Sequence, residues 1–483
     1  MNIRTARLLV IALLATIGFV VPVIGSSRQD VPAQKSIVGI WLGAVEASGF
    51  KLRLALKVTQ GADGKLTAKL DSLDQAANDL PIESITLDAG VVRFSAPNLG
   101  LGYEGKLSAD GNEIVGELKQ GPTTFPLTFK RTDKVPALGR PQDPTKPYPY
   151  IEEEVSYENT IDKIKLAGTL TLPPSKTPVP AVVLITGSGA QDRNETILGH
   201  RPFLVLADHL TRRGIAVLRV DDRGTGGSEP GSPKATSENY AGDVLAGVNF
   251  LKTRKEINPK QIGLIGHSEG GIIGPIAAMK SKDIAFIVMM AGLGQTGRDA
   301  VLMQGDLLTK AAGRSPELVA KVRKVYEQIF DILKAEPDNA VAEKKIREAV
   351  TSQTAGMNET QTKEFAPFVQ NINAQMPLYL STWFRYFLLF DPAPVLEKVT
   401  VPVLALVGDK DLQVPPKENL ALIEAALKKG GNKNVTIVLM PGLNHLFQAA
   451  TTGLPGEYGT IQETINPAAL QTMSDWILKQ TSH

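Results

Sequence analysis

The sequence predicts an α/β fold with a mostly parallel sheet and a helical insertion, preceded by a small antiparallel all-β domain. Three observations carry this. Residues 36–131 break into short runs of period two separated by turn residues. Beyond residue 150, continuous apolar runs alternate with helical segments, the pattern of a parallel sheet covered on both faces. Between the two lie residues 134–150, with prolines at 136, 141, 144, 147 and 149; such a stretch cannot join a sheet interior and reads as a stiff, extended linker.

In the first region, Leu52 to Val58 alternates apolar with polar or small residues. Leu66–Leu70, Ile85–Leu87, Val91–Phe94, Ile114–Leu118 and Phe125–Phe129 keep the same period. Asp63-Gly64, Ala89-Gly90 and Asp110-Gly111-Asn112 supply the turns. About eight such runs predict a small barrel or sandwich, and no catalytic constellation falls within it.

In the second region, strands are predicted at Ala181–Ile185, Ala216–Val220, Ile262–Ile265, Ile284–Met290, Val403–Val407 and Val435–Leu439. Helices are predicted at Pro202–Arg213, Tyr240–Thr253, Gly271–Met279, Pro416–Lys429 and Pro467–Gln480. An insertion over about 292–399 has helical periodicity at Val319, Val322, Val325, Ile329 and Leu333. It would sit over the carboxyl ends of the strands, where open α/β sheets bind ligands.

Composition narrows the function classes. A net charge of +2, which includes Arg4 and Arg7, gives no reason to expect nucleic acid or an anionic surface as partner. The absence of cysteine excludes disulfides, thiolate catalysis and cysteine-ligated zinc. Residues 1–25 read as a secretory signal: Arg4 and Arg7, an apolar run from Leu8 to Ile24, then small residues, with cleavage after Gly25 or Ser27. A retained anchor is the alternative; Pro22 and the lack of a basic stop-transfer flank favour cleavage. The expectation is an exported, periplasmic or secreted protein, free of the membrane once cleaved.

The strongest chemical signal is Gly266-His267-Ser268-Glu269-Gly270-Gly271, a G-x-S-x-G elbow between a strand and a helix. On such a tight turn the serine hydroxyl projects from the sheet edge, and the glycines prevent clashes with neighbouring strand and helix. Ser268 also lies at a helix N-terminus, which favours developing negative charge. A serine hydroxyl needs a base. Of the five histidines, His267 belongs to the elbow, His200 and His209 lie at or in a helix, and His483 ends the chain. His445, in the loop after Val435–Leu439, is the predicted base. Asp411 is the predicted orienting acid. It is preferred to Asp409, read as capping the turn, because the acid lies a few residues beyond its strand. The predicted oxyanion donors are the backbone N–H groups of Glu269 and of Ser188, with Gly189 as the alternative to Ser188.

Residues 151–483 resemble the α/β-hydrolase superfamily, in particular bacterial carboxylesterases near the prolyl-oligopeptidase and serine-aminopeptidase branches. The resemblance rests on the elbow, on Gly187-Ser188-Gly189 with Asp192-Arg193, and on Asp222-Arg223-Gly224-Thr225-Gly226-Gly227-Ser228. It implies a Ser-Asp-His triad, no cofactor and a helical cap. Where such enzymes often carry His-Gly before the oxyanion loop, this chain has Thr186-Gly187. The Asp222–Ser228 loop reads as structural, with Arg223 in an ion pair. The aromatic run Trp383–Phe390 reads as packing the cap onto the sheet, with the lining of an acyl pocket as the alternative.

The leading expectation is therefore hydrolysis of a small-molecule carboxylic ester. A peptidase is the alternative: an aminopeptidase would aim cap carboxylates such as Glu327, Asp331 or Glu336 at a substrate amine, although a solvated helical face explains them equally. The N-terminal region is too short for the blades of a propeller oligopeptidase. A non-catalytic binding protein is disfavoured by the complete candidate triad. Metal catalysis and phosphate cradling find no matching ligand or glycine-loop spacing.

Overall fold

The computed structural model describes residues 36–47, 50–75, 77–121, 123–136 and 139–482. The expected signal segment, residues 1–25, lies outside them. Contacts divide the chain into two compact units. One holds residues up to Gly139 with Met357–Asn371, the other Arg140–Gly356 with Ile372–His483.

In the first unit nine strands follow in chain order: β1 (Gly39–Ala47), β2 (Phe50–Gln60), β3 (Leu66–Ser72), β4 (Ala77–Ile82), β5 (Ser84–Asp88), β6 (Val91–Ala96), β7 (Leu101–Leu107), β8 (Glu113–Gln120) and β9 (Thr123–Thr132). They form one antiparallel sheet in the order β4-β3-β2-β1-β9-β8-β7-β6-β5. Its two outermost strands, β4 and β5, are joined through Glu83 alone, so the sheet must curl back on itself into a barrel-like form. Alternate side chains, among them Trp41, Leu56, Ile114 and Phe129, fill the interior with no more than 1% exposure. Tyr103 is buried among them, and its hydroxyl satisfies itself on the carbonyls of Ile114 (3.0 Å) and Leu127 (3.1 Å).

The second unit is built on an eight-stranded sheet of order β10-β11-β13-β12-β14-β15-β16-β17. Its strands are β10 (Ile151–Asn159), β11 (Ile164–Leu172), β12 (Val179–Ile185), β13 (Ala216–Val220), β14 (Ile257–His267), β15 (Phe286–Met290), β16 (Val403–Gly408) and β17 (Val435–Met440). From β13 to β17 every pairing is parallel; the leading hairpin β10–β11 is antiparallel. Sequence patterning misses both strands of that hairpin; in β10, Glu152, Glu153 and Glu154 give an edge strand little apolar signal.

The helices are α1 (Pro202–Arg212), α2 (Ser237–Lys252) and α3 (Gly270–Lys280), then those of the insertion, α4 (Gly297–Ala311), α5 (Pro316–Ala335), α6 (Asn339–Thr354), α7 (Glu359–Tyr379), α8 (Thr382–Leu389) and α9 (Ala393–Leu396), and finally α10 (Pro416–Lys429) and α11 (Pro467–Thr481); α1 and α11 cover one face of the sheet, α2, α3 and α10 the other. The all-apolar strands still alternate. Val182 and Leu184 of β12 pack with Phe203 and Leu206 of α1 and Met473 of α11. Ala181, Val183 and Ile185 join Val244 of α2, Ile272 of α3 and Ile423 of α10 on the other face.

Two expected boundaries shift. The insertion is helical as predicted, but Met357–Asn371, which takes in the first part of α7, groups with the first unit and not with the second. The proline-rich stretch is not a free linker after residue 139. Arg140 donates to the carbonyls of Leu198 (2.8 Å), Gly459 (2.9 Å) and Ile461 (3.0 Å), Gln142 donates to Ile465, and Asp143 pairs with Arg201. Proline keeps this segment out of the sheet; the polar side chains between the prolines hold it against the rest of the second unit.

Candidate active site

β14 runs into α3 through the elbow, and Ser268 sits there with φ of +53°, a left-handed conformation costly for a non-glycine residue. The glycines around it have no room for side chains. A Cβ at Gly266 would stand 2.0 Å from the Gly270 carbonyl oxygen, one at Gly270 2.3 Å from the Ile185 oxygen, and one at Gly271 2.6 Å from the α-carbon of Gly292. The Ser268 N–H is held by Met290 O of β15 at 2.8 Å, which fixes the turn to the sheet.

Asp411 follows β16 and His445 follows β17, and the structure brings them together. Nδ1 of His445 lies 2.7 Å from Oδ2 of Asp411, with side-chain exposures of 6% and 0%. The other Asp411 oxygen accepts the N–H groups of Gln413 and Val414, both at 2.8 Å. Asp409, expected to cap its own turn, instead accepts the Gly442 N–H at 2.6 Å and so ties the two loops together. His445 stands against the elbow. Its carbonyl oxygen is 3.0 Å from Nε2 of His267, and the two imidazole centroids are 4.9 Å apart. The Ser268 hydroxyl itself makes no hydrogen bond among the described residues.

The loop after β12 carries the predicted oxyanion donors. Among the described residues the N–H groups of Ser188, Gly189 and Glu269 have no acceptor, whereas that of Gly187 donates to Glu195 at 2.8 Å. The loop is braced from below by Arg193, which grips Asp221 (2.8 and 3.1 Å) and Thr169 (2.7 Å) and also pairs with Glu154. Arg223 pairs with Asp162 and Asp243, each at 2.8 Å, the structural part expected of it.

Three carboxyl groups around the elbow were not singled out from the sequence for their side chains. Glu195 is 3% exposed and accepts both the Gly187 N–H and His267 Nδ1 (2.9 Å). Glu269 is 2% exposed; it accepts Ser237 Oγ at 2.7 Å and Trp383 Nε1 at 2.8 Å, and the Ser188 side chain acts on it as a further donor group. Burial raises its pKa against those three donors. Asp222 is pushed up to about 7 by burial, against the N–H of Gln191 and the Thr186 hydroxyl, and with the help of the nearby Glu195 and Glu269 charges. Glu269 offers a sequence signal, an acid inside an otherwise apolar strand-turn-helix. Glu195 offers none, in a polar loop where any acid reads as solvated.

Asp222 lines a cavity of about 150 Å³ together with Gly187, Gly189, Tyr240, Val244 and Trp383. Ser268 is not part of its wall, but Gly187 is: a Cβ on Gly187 would stand 3.3 Å from that of Ser268. The aromatic run divides accordingly. Trp383 faces the cavity and Glu269, while Phe384, Phe387 and Leu388 are buried. The cap carboxylates are engaged elsewhere, Glu327 with Arg323, Asp331 with Arg298 and Glu336 with Lys345.

Residues 162–446, more than half of the chain, match the family described as X-Pro dipeptidyl-peptidase (S15 family). This chain is a member of the S15 family. The S15 match begins in the turn of the β10–β11 hairpin and runs through His445, so it spans the elbow, both loops and the cap. Among curated proteins, the chain is 26% identical to Esterase EstD of Thermotoga maritima over 78% of its own length and 82% of that protein. It is 23% identical to an uncharacterized 31.7 kDa protein of the traX-finO intergenic region of Escherichia coli, over 45% of its own length and 70% of the relative. Among solved structures, an esterase of Pyrococcus furiosus aligns with 72% of this chain and 99% of its own, at 16% identity and a TM-score of 0.41. The chain is thus a hydrolase of the α/β-hydrolase fold.

Proposed function

We propose that this S15-family protein is a serine esterase that cleaves small carboxylic esters through an acyl-enzyme. The observation that carries the reading is the buried Asp411–His445 hydrogen bond, set beside the strained elbow of Ser268. The Ser268 hydroxyl attacks the ester carbonyl while His445 Nε2 takes its proton; the same proton passes to the departing alcohol. Asp411 holds the imidazole in the tautomer with a proton on Nδ1 and stabilises its charged form. The N–H groups of Glu269 and Ser188 receive the oxyanion. Water, deprotonated by His445, then releases the acid and restores Ser268. Similarity to Esterase EstD over most of both chains supports an ester as the substrate.

The test is covalent labelling by a fluorophosphonate together with turnover of p-nitrophenyl acetate and butyrate. Ser268→Ala is expected to lose both; persistent labelling would assign the nucleophile elsewhere. Membership of the S15 family favours a second reading, in which the same triad cleaves a peptide bond. Aminoacyl- and X-Pro-p-nitroanilides, run beside the esters, separate the two: higher kcat/KM on an anilide makes the protein a peptidase. Export belongs to the proposal as well, and the mature N-terminus, read by mass spectrometry, is expected after Gly25 or Ser27.

A further inference from the structure

We propose that Glu195 and His267 are positioning residues, a buried carboxylate–imidazolium pair that locks the oxyanion loop and the His445 loop onto the elbow as one unit. The inference rests on the reading of Ser268 and His445 as nucleophile and base.

The contacts of His267 and Glu195 favour one assignment of protons. His267 Nε2 faces the His445 carbonyl oxygen at 3.0 Å, and a carbonyl can only accept, so Nε2 carries a proton. His267 Nδ1 faces Oε1 of Glu195 at 2.9 Å, and that same oxygen accepts the Gly187 N–H at 2.8 Å. With Glu195 ionised, that oxygen can only accept, so Nδ1 is protonated too. The ring is then an imidazolium and Glu195 its carboxylate. Burial opposes the charge on His267; the Glu195 carboxylate outweighs it, aided by the His445 carbonyl and the more distant Asp411, and raises the ring above its ordinary value. Glu195 itself is held in a left-handed conformation, φ of +53°, which a loop retains only where its surroundings demand it.

The pair joins three parts of the site. Committing the Gly187 N–H inward to Glu195 leaves those of Ser188 and Gly189 unpaired for an oxyanion. Holding the His445 carbonyl fixes the backbone from which the base projects. The charged groups facing the pair are Asp411, on the far side of His445, and Asp222, close to Glu195; neither touches His267 directly. Glutamine cannot replace Glu195 without loss. If its amide oxygen keeps the Gly187 N–H, a neutral His267 points a lone pair at it; if the amide turns to serve His267, the Gly187 N–H is abandoned.

Two measurements test this. Nitrogen-15 NMR of histidine-labelled protein at pH 8 is feasible with only five histidines. One ring is expected with both nitrogens protonated, and that signature is expected to vanish in Glu195→Gln. Five neutral rings in the unsubstituted protein would overturn the pair without any variant having to fold. In steady-state kinetics, Glu195→Gln is expected to lower kcat on p-nitrophenyl butyrate by about 10- to 100-fold, as loss of alignment costs, with KM changed less than about threefold. Glu195→Asp is expected to recover part of that loss, since it restores the charge. Unchanged kcat in a folded Glu195→Gln protein defeats the positioning role while Ser268→Ala still abolishes labelling. Labelling that survives Ser268→Ala defeats the underlying reading instead.

Discussion

The Asp411 carboxylate gives one oxygen to Nδ1 of His445 at 2.7 Å and the other to the backbone of Gln413 and Val414 at 2.8 Å. An amide in its place has only one acceptor oxygen. If that oxygen keeps the backbone pair, the NH2 group faces Nδ1 and forces the proton onto Nε2, where the ring cannot accept one from Ser268. Asp411→Asn is therefore expected to lower kcat/KM by about 10,000-fold with the fold intact. Asp409→Asn still offers an oxygen to the Gly442 N–H and is expected to stay within about tenfold of the parent. Steady-state kinetics on p-nitrophenyl butyrate decide between them; an equal loss in both variants would undo the assignment of the acid.

Gly270 illustrates a different constraint, set by backbone. A methyl group there meets the Ile185 carbonyl oxygen at 2.3 Å, and neither the central strand β12 nor the elbow has a side chain that could swing aside. Gly270→Ala is expected to destabilise the protein by about 3 kcal/mol or more, seen as a lowered midpoint in thermal or urea unfolding. Gly305, in a cap helix with open space around its Cβ position, is the control: alanine there is expected to be neutral or slightly stabilising.

These two sites mark what the amino-acid order discloses. The elbow, its glycines and the loops after β16 and β17 are local patterns tied to strand ends, so Ser268, Asp411 and His445 could be proposed as a triad before any fold existed. The docking of Arg140 and Gln142 onto Ile461 and Ile465 depends on partners more than 300 positions away, and no local pattern announces it. Glu195 is the sharpest case. Its polar, turn-rich surroundings suggest solvent, and only the fold carries it into a pocket 3% exposed, between Gly187 and His267.

Asp222 gives the pH dependence a sign. Burial pushes its pKa up to about 7, above the ordinary carboxylate value of 3.8. Between those two pH values the folded protein holds a proton that the unfolded chain has released, so this group favours the fold at low pH and its contribution is lost as pH rises toward and past 7. Asp222→Asn cannot ionise and keeps an oxygen for Thr186 and Gln191. Its melting temperature relative to the parent is expected to increase from pH 5 to pH 8. A difference independent of pH would mean that Asp222 titrates as an ordinary carboxyl.

Trp383 connects the cap to the elbow through one hydrogen bond and one wall. Its indole N–H reaches Glu269 at 2.8 Å, and its ring lines the cavity beside Gly187. Trp383→Phe removes the donor and leaves a buried carboxylate short of one partner, which is expected to cost about 1–3 kcal/mol of stability and to leave the cavity similar in size. Trp383→Ala also removes the wall. If the cavity receives part of the substrate, the alanine variant gains activity on longer acyl or alcohol chains relative to acetate and the phenylalanine variant does not. A panel of p-nitrophenyl esters from acetate to decanoate reads this directly. The same chain-length profile in parent and alanine variant would place the substrate elsewhere and leave Trp383 as a support for Glu269.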